Sequence, residues 1–438
     1  MTSPPAPSPA PPWRHCAQGT DPVLDPVGCR GIQVTGYGLC LAHLDSADRA
    51  AYLATLSPGS DLDHSGTTFT SPLLRELVDA LRDPSTNTLR FGDADFTEAR
   101  FTTAVFAEAT FAAGARFSHA AFSAAADFEG TTFSAIAHFE GVIFSDRAVF
   151  ERATFSESAM FNSATFSDRA MFDSATFSDL AWFFGSTFTP GSWADFGDVT
   201  FSASARFDYA TFSGAASFDG STFTMVDFDN ATFTNASFMG TTFSHAGFSD
   251  ATFSGQAGFF AATFSGYTGF GNVTFSDEAL FISTTFNDGA NFEGAVFSGS
   301  TAFDDASFSH RADFENARFS ADTGFTGATF SGVPRLGPFV CLGRLDLSSA
   351  VFTAPMTIEA AAASLACVRT RWESTATLRL RHARVDLTDA SSHNRSRSPR
   401  TPPPSSPLSD TPSPRPDSPT TRTYESCRCK EWTPPTWS

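Results

Sequence analysis

The sequence predicts an all-β solenoid, and three observations carry that prediction. Between Phe91 and Phe330 a phenylalanine recurs every five or six residues (with one longer interval), a series that takes 45 of the chain's 50 Phe. Two residues before each of these Phe stands Ala in 32 of the 45 cases, and otherwise Thr, Val, Ser or, once, Leu89. The period is too short for helical arrays, whose units need about 33 to 47 residues. Positions two apart on an extended segment share a face, so the small and large pair points inward and the polar residues around it point out.

A stretch from the middle shows the unit: Ala153-Thr-Phe-Ser-Glu-Ser, then Ala159-Met-Phe-Asn-Ser, then Ala164-Thr-Phe-Ser-Asp-Arg. Six-residue units alternate with five-residue ones. The pattern resembles the pentapeptide-repeat family, whose unit is a small residue, any residue, Leu or Phe, and two polar residues. The resemblance covers Leu89 to Phe330. It implies a right-handed quadrilateral β-helix with four units per coil, hence about 11 coils and, at roughly 4.8 Å per coil, a rod of about 50 Å. The sixth residue is expected as a bulge at alternate corners, and the strict fives at Phe91–Phe111 and Phe218–Phe253 should change the cross-section there. A left-handed hexapeptide helix needs a constant six and does not fit. Burying one Phe contributes about 1.5 to 3 kcal/mol before ordering is charged, so the Phe series reads as core and not as an aromatic binding strip.

Ahead of the rod the composition differs. Residues 1–12 are rich in Pro, Ala and Ser and are expected to be disordered. Residues 13–45 form a small Cys/His module in which Cys16, Cys29, Cys40 and His43 offer three thiolates and an imidazole, a set that suits one structural, tetrahedral zinc ion. The segment has few large apolar residues, so a metal would supply what its core lacks. Only Cys40 and His43 are closely spaced; His15 is an alternative ligand, and free cysteines packed on the rod's end are the competing reading. Residues 46–88 read as a helical cap, with one helix over Ser46 to Leu56 and another capped by Ser71, with Pro72 in its first turn, running to Leu81. Between them Asp61 to Phe69 reads as an extended piece that could begin the β-helix and cover its open edge.

Charge is spread unevenly. The net is −19 overall, with −3 in residues 1–90, −21 in 91–330 and +5 in 331–438. The rod's density, roughly 0.4 charge per Å against about 0.6 for duplex DNA, argues against direct nucleic-acid binding by the rod. It also raises an alternative, because some members of the family the rod resembles are dimeric acidic rods that bind DNA gyrase by imitating DNA. Here the acids follow Phe in short units (Glu129, Glu140, Glu151, Asp173, Asp208, Asp219) and come one residue later in long ones (Asp146, Asp168, Asp179, Asp277), so they are expected to wrap the rod. The plainer reading of the charge is solubility.

The series has one eight-residue interval, Phe188 to Phe196, where Pro190-Gly191 should bulge as a loop. Trp182, Phe184 and Trp193 near it, with the carboxylates Asp146, Glu151, Asp168 and Asp173, are candidate partner-binding residues. Alternatively, Trp193 takes a core slot in an irregular corner. Residues 331–390 read as divergent coils bearing Arg369, Arg371, Arg379, Arg381 and Arg384, and residues 391–438 as a disordered tail whose Ser/Pro/Arg composition suggests a frameshifted end that includes Cys427 and Cys429.

No phosphate-binding glycine loop or dinucleotide fingerprint is present, and the nine His are scattered. No run of 18 apolar residues or signal-peptide core occurs, so the expectation is a cytoplasmic protein without a membrane partner. Together these residues describe a non-enzymatic interaction or scaffold protein for an unknown protein partner. The gyrase or topoisomerase mimic, which brings a homodimer with it, is the alternative.

Overall fold

The computed structural model describes residues 9–21 and 25–392. Short strands run from Leu62–Asp63 to Ser391–Ser392, each pairing in parallel with its counterpart one coil away. They make a parallel β-solenoid of about 14 turns, preceded by two helices. The rod is longer than the expected 11 coils because it gains turns at both ends. Leu62 pairs with Ala94 and Thr68 with Arg100 at the start, and Phe330 is followed in register by Phe352 and Trp372. The expected tail lies outside the described residues from 393 onward, as do residues 1–8 of the expected disordered start.

Each coil has four faces, named A to D here after Phe91, Phe96, Phe101 and Phe106, which open four vertical ladders of buried rings. Rings in register stack: Phe128 and Phe150 lie 4.8 Å apart at 1°, Phe161 and Phe183 4.8 Å apart at 3°. The opposite ladders B and D meet edge to face across the axis, as Phe139 and Phe150 do at 5.4 Å and 89°. Both are favourable aromatic geometries, worth about 0.5 to 1.5 kcal/mol beyond burial. Where Thr replaces the small Ala within the rod, its hydroxyl can be satisfied inside: Thr131 donates to the Phe106 carbonyl at 2.9 Å, and Thr241 to that of Phe218 at 2.7 Å, whereas Thr67 in the first coil leaves its buried Oγ1 without a partner.

Two kinds of corner explain the alternation of five and six. After ladders B and D the chain turns in four residues, Phe to small residue, closed by bonds such as Ala99 N–H to Phe96 O (3.0 Å) and Ala153 N–H to Phe150 O (3.0 Å). The third residue of each turn is left-handed, among them Gly130, Gly141, Ser174 and Asn230, as a type II turn requires. After ladders A and C the corner takes the sixth residue. Where the chain reverts to strict fives, the ladder shifts register between Phe201 and Ser204, opposite Phe223 and Met225, so the extra residue is absorbed as a bulge at the corner.

The first helix, α1 (Ser46–Leu53), is shorter than expected and is capped by Asp45, which accepts from Ala47 and Asp48 N–H at 2.9 Å each. The second, α2 (Ser71–Ala80), is capped by Thr70 rather than by Ser71, with Leu73, Leu74, Leu77 and Val78 buried on the rod's end. α2 lies between the first C-face strand and Phe91 and so covers ring edges that an open first coil would expose.

His64 continues ladder B one coil ahead of Phe96, since Leu62 and Asp63 pair with Ala94 and Asp95. It is fully buried; Nε2 meets the Tyr52 hydroxyl at 3.3 Å and Nδ1 has no partner. Burial lowers its pKa to about 4. An unfolded imidazole protonates near pH 6.5, so His64's contribution is complete above that pH and is lost as the pH falls toward 4, by up to roughly 3 kcal/mol. His64→Phe should therefore raise the melting temperature at pH 5 and flatten the melting temperature between pH 7 and pH 4.5; a variant with the wild-type pH profile would contradict this account.

Candidate metal centre and partner-facing surfaces

Cys16, Cys29 and the Cys40–His43 pair come from three separate stretches, which backbone hydrogen bonds and one turn bring together. Cys16 N–H donates to Gly31 O (2.8 Å), Ala17 N–H to Cys29 O (3.0 Å) and Cys29 N–H to Gln18 O (3.0 Å), which lays residues 16–18 alongside residues 29–31. Cys40 precedes a single 3-10 turn, Leu41–His43, that swings His43 back toward it. Within the module Trp13 Nε1–H donates to Arg30 O (2.7 Å), and the module is fixed to the rod by Arg30 with Glu98 (3.1 Å) and by Ile32 N–H on Ser65 O (2.8 Å).

The four ligand atoms lie within 4.8 Å of one another, close enough to hold a metal ion. Cys29 and Cys40 Sγ are 3.6 Å apart, and His43 Nδ1 is 3.3 Å from Cys40 Sγ and 3.5 Å from Cys16 Sγ. A tetrahedral zinc site with its usual bond lengths has S–S edges of about 3.8 Å and S–N edges of about 3.5 Å, so the donor set fits in kind and in size. His15 stands apart, bridged to Ile32. Burial pushes the Cys40 thiol far up, and the neighbouring Cys29 and Cys16 add to it; burial also raises Cys29. A pocket of thiols that resist ionisation side by side is one a divalent cation would relieve.

On the rod, the eight-residue interval forms a turn at Pro190-Gly191 on the corner between faces C and D. Ser192 is buried, Ala194 and Phe196 fill the core slots, and Trp193 points outward, 52 % exposed. Trp182 and Phe184 flank the B-ladder residue Phe183, so they stand on the side opposite Trp193. The carboxylates divide as well: Asp146 and Asp168 follow C-ladder Phe144 and Phe166, Glu151 and Asp173 follow D-ladder Phe150 and Phe172. These seven residues therefore do not form one site. Tyr209, 57 % exposed and edge-to-face with Phe184 at 5.5 Å, joins the B-side aromatics and was not picked out from the sequence; its place as an aromatic in an outward corner slot filled elsewhere by small, polar or charged residues is the signal.

A model described as pentapeptide repeats (9 copies) matches residues 90–132, 139–187, 196–242, 207–252 and 281–329. The rod belongs to the pentapeptide-repeat family. No curated protein matches the chain. No helix among the described residues is long and apolar enough to cross a membrane.

The four faces of the pentapeptide-repeat rod are not equivalent. Face A presents Thr in nine successive rungs from Thr110 to Thr285, and face C in six from Thr165 to Thr274. Faces B and D carry His138, Met160, Trp182, Arg206 and Asp227 on one side and Asp127, Val149, Met171 and Asp195 on the other. On face D burial raises Asp195, with Asp173 and Asp219 reinforcing it, and raises Glu151 likewise, with Glu129 and Asp173 adding to it. Among the divergent coils, Arg335 and Arg379 both bind Glu359; burial works against its charge, but their hydrogen bonds hold its pKa below the usual range. One cluster has the membership of a catalytic triad but not its order. Ser118 Oγ donates to Glu140 Oε2 (2.7 Å) while His138 Nδ1 meets Glu140 Oε1 (2.9 Å), so the hydroxyl faces the acid and has no base to take its proton.

Gly31 gives a direct test of how tightly the Cys/His cluster is assembled. A Cβ there would lie 2.7 Å from Cys40 Cβ and 2.9 Å from its Sγ. Gly31→Ala should cost about 1 to 3 kcal/mol locally and speed the labelling of Cys16, Cys29 and Cys40 by a thiol reagent; unchanged labelling rates would contradict the packing.

Proposed function

We propose that the protein is a non-enzymatic interaction scaffold: an acidic pentapeptide-repeat rod whose outer surfaces engage a protein partner, with an N-terminal module closed by one structural zinc ion. Pentapeptide-repeat solenoids are in general structural or interaction proteins. The observation that carries the proposal is where the residue pattern varies. The interior is filled by four rings per coil, so recognition has to be external, and the outward positions diversify all along faces B and D while nine successive rungs of A and six of C keep Thr. A surface held to one residue type suits sheet stability, since Thr pairs well across strands; a surface that changes rung by rung suits recognition of something else.

Zinc in the Cys16, Cys29, Cys40 and His43 site would leave no coordination position open, which is the arrangement of a structural and not a catalytic ion. Its task there would be to hold a module with few apolar residues against the first coil. The topoisomerase reading gains less support: carboxylates follow the ladders on opposite sides of the rod, Glu140 and Asp208 after B, Glu129 and Glu151 after D, with no single charged face.

Affinity capture from native lysate with the full chain tests the scaffold reading. A specific protein should be retained, and charge-neutralising or aromatic substitutions on face B or D should release it; a lysate in which nothing specific is retained would overturn the proposal. Metal analysis of the same preparation should find one zinc per chain, lost in Cys40→Ser together with the thermal transition of the N-terminal module. Metal-free protein with three readily titrated thiols would remove zinc from the account.

A further inference from the structure

One stretch of face B combines features that occur together nowhere else among the described residues. Trp182 points outward, half-buried, with Arg206 over its ring, Cζ 5.7 Å from the ring centroid. The same guanidinium reaches Asp208 at 2.7 Å and Asp227 at 3.6 Å. At the adjoining corner stand Phe184, 44 % exposed, and Tyr209. Tyr209 has a φ of 58°, in a slot that the coils on either side give to Gly185 and Asn230.

The next rungs of face B carry glycine. Gly247, half-buried, and Gly269, buried, follow Asp227 in register. A Cβ at Gly247 would sit 3.0 Å from Asp229 Oδ1 and 3.4 Å from Asp227 Oδ1, so two carboxylates converge in the space its missing side chain leaves. Asp208, Asp227 and Asp229 thus share the single cation Arg206. Burial, reinforced by Asp229 and Asp208, pushes Asp227 up to about 6, the behaviour of a group short of positive charge.

We infer that this surface, from Trp182 to Gly247 on face B, is the docking site for an extended, arginine-bearing segment of a partner protein. The inference rests on the scaffold reading and gives it a place and a chemistry. Arginine fits because its planar guanidinium can lie on an aromatic ring while donating two hydrogen bonds to a carboxylate, which lysine cannot do. Arg206 already makes this arrangement within the molecule, on Trp182 and Asp208; Phe184 and Tyr209, with Asp229 and with Asp227, which Arg206 meets only at 3.6 Å, offer the parts for a second guanidinium. Exposed Phe and Tyr beside a half-buried Trp and an Arg are also residue types that dominate protein interfaces, whereas a nucleic acid would meet charge of its own sign.

The test uses the full chain and fluorescein-labelled nona-arginine and nona-lysine, with binding read by anisotropy at physiological salt. Nona-arginine should bind about tenfold or more tightly than nona-lysine, in keeping with stacking and bidentate pairing. That preference should vanish in Phe184→Ser/Tyr209→Ser and in Asp227→Asn/Asp229→Asn, and persist in Trp193→Ala on the opposite side. Equal affinities, or a preference untouched by the face-B variants, would reduce the binding to general attraction by an acidic rod and overturn the inference. A chain ending at Ser392 that binds nona-arginine when the full chain does not would also overturn it, replacing the partner by this chain's own residues 393–438, which carry seven Arg and Lys against four acids. A lysate partner retained undiminished by Phe184→Ser/Tyr209→Ser would displace this surface while leaving the scaffold reading in place; a wild-type chain that retains no partner would remove that reading itself.

Discussion

Four phenylalanine rings in each cross-section, stacked at the spacing of parallel strands, are the constraint on which the rest of this molecule depends. A coil of 20 to 22 residues encloses a narrow interior, and four rings with four small residues fill it. A ring removed from mid-rod leaves a cavity, and such losses cost about 3 to 5 kcal/mol for Phe→Ala. The same geometry dictates the small slot two residues earlier, because a larger side chain there would contest the space of the neighbouring ladder. It also dictates corners that turn at once, and hence the left-handed residues that follow ladders B and D. With the interior closed, what the rod does has to happen on its outside.

Much of this was legible because the repeat writes one physical requirement dozens of times. Phe at the centre and Ala two before it announce an inward pair, and the alternation of five and six announces two kinds of corner. The first B-face rung was less legible, because Leu62 and His64 take the places of Ala and Phe, and a buried histidine has no repeat to mark it. The cap of α2 was assigned one residue late: Thr70 and Ser71 are adjacent hydroxyls, and only the extended φ and ψ of Thr70 distinguish the cap from the first helical residue. The direction of Trp193 depends on how a tight turn at Pro190-Gly191 resets the inward and outward alternation, which spacing alone leaves open.

The candidate sites show the same division. Cys16, Cys29, Cys40 and His43 have little regular spacing, yet they are the metal-binding residue types of a segment too poor in apolar residues to fold on its own core, and composition sufficed to group them. The surface aromatics were another matter. Trp182 and Trp193 are eleven residues apart, half a coil, and half a coil places them on opposite sides of the rod. Neighbours on a solenoid face are a whole coil apart, as Trp182 and Arg206 are. Reading a surface from such a sequence therefore means reading down columns of about 22 residues, and down that column Tyr209 and the face-B carboxylates assemble.

The central claim, that contact between stacked rings and not apolar volume alone holds successive coils in register, is open to one direct measurement. Phe150 and Phe172 stack at 4.9 Å and 4° in ladder D. A double-mutant cycle of Phe150→Leu and Phe172→Leu, followed by urea unfolding, isolates their interaction from the burial each provides separately. The account predicts a coupling of about 0.5 to 1.5 kcal/mol. Additivity within about 0.3 kcal/mol would mean that each ring acts as an independent filler, and would contradict it.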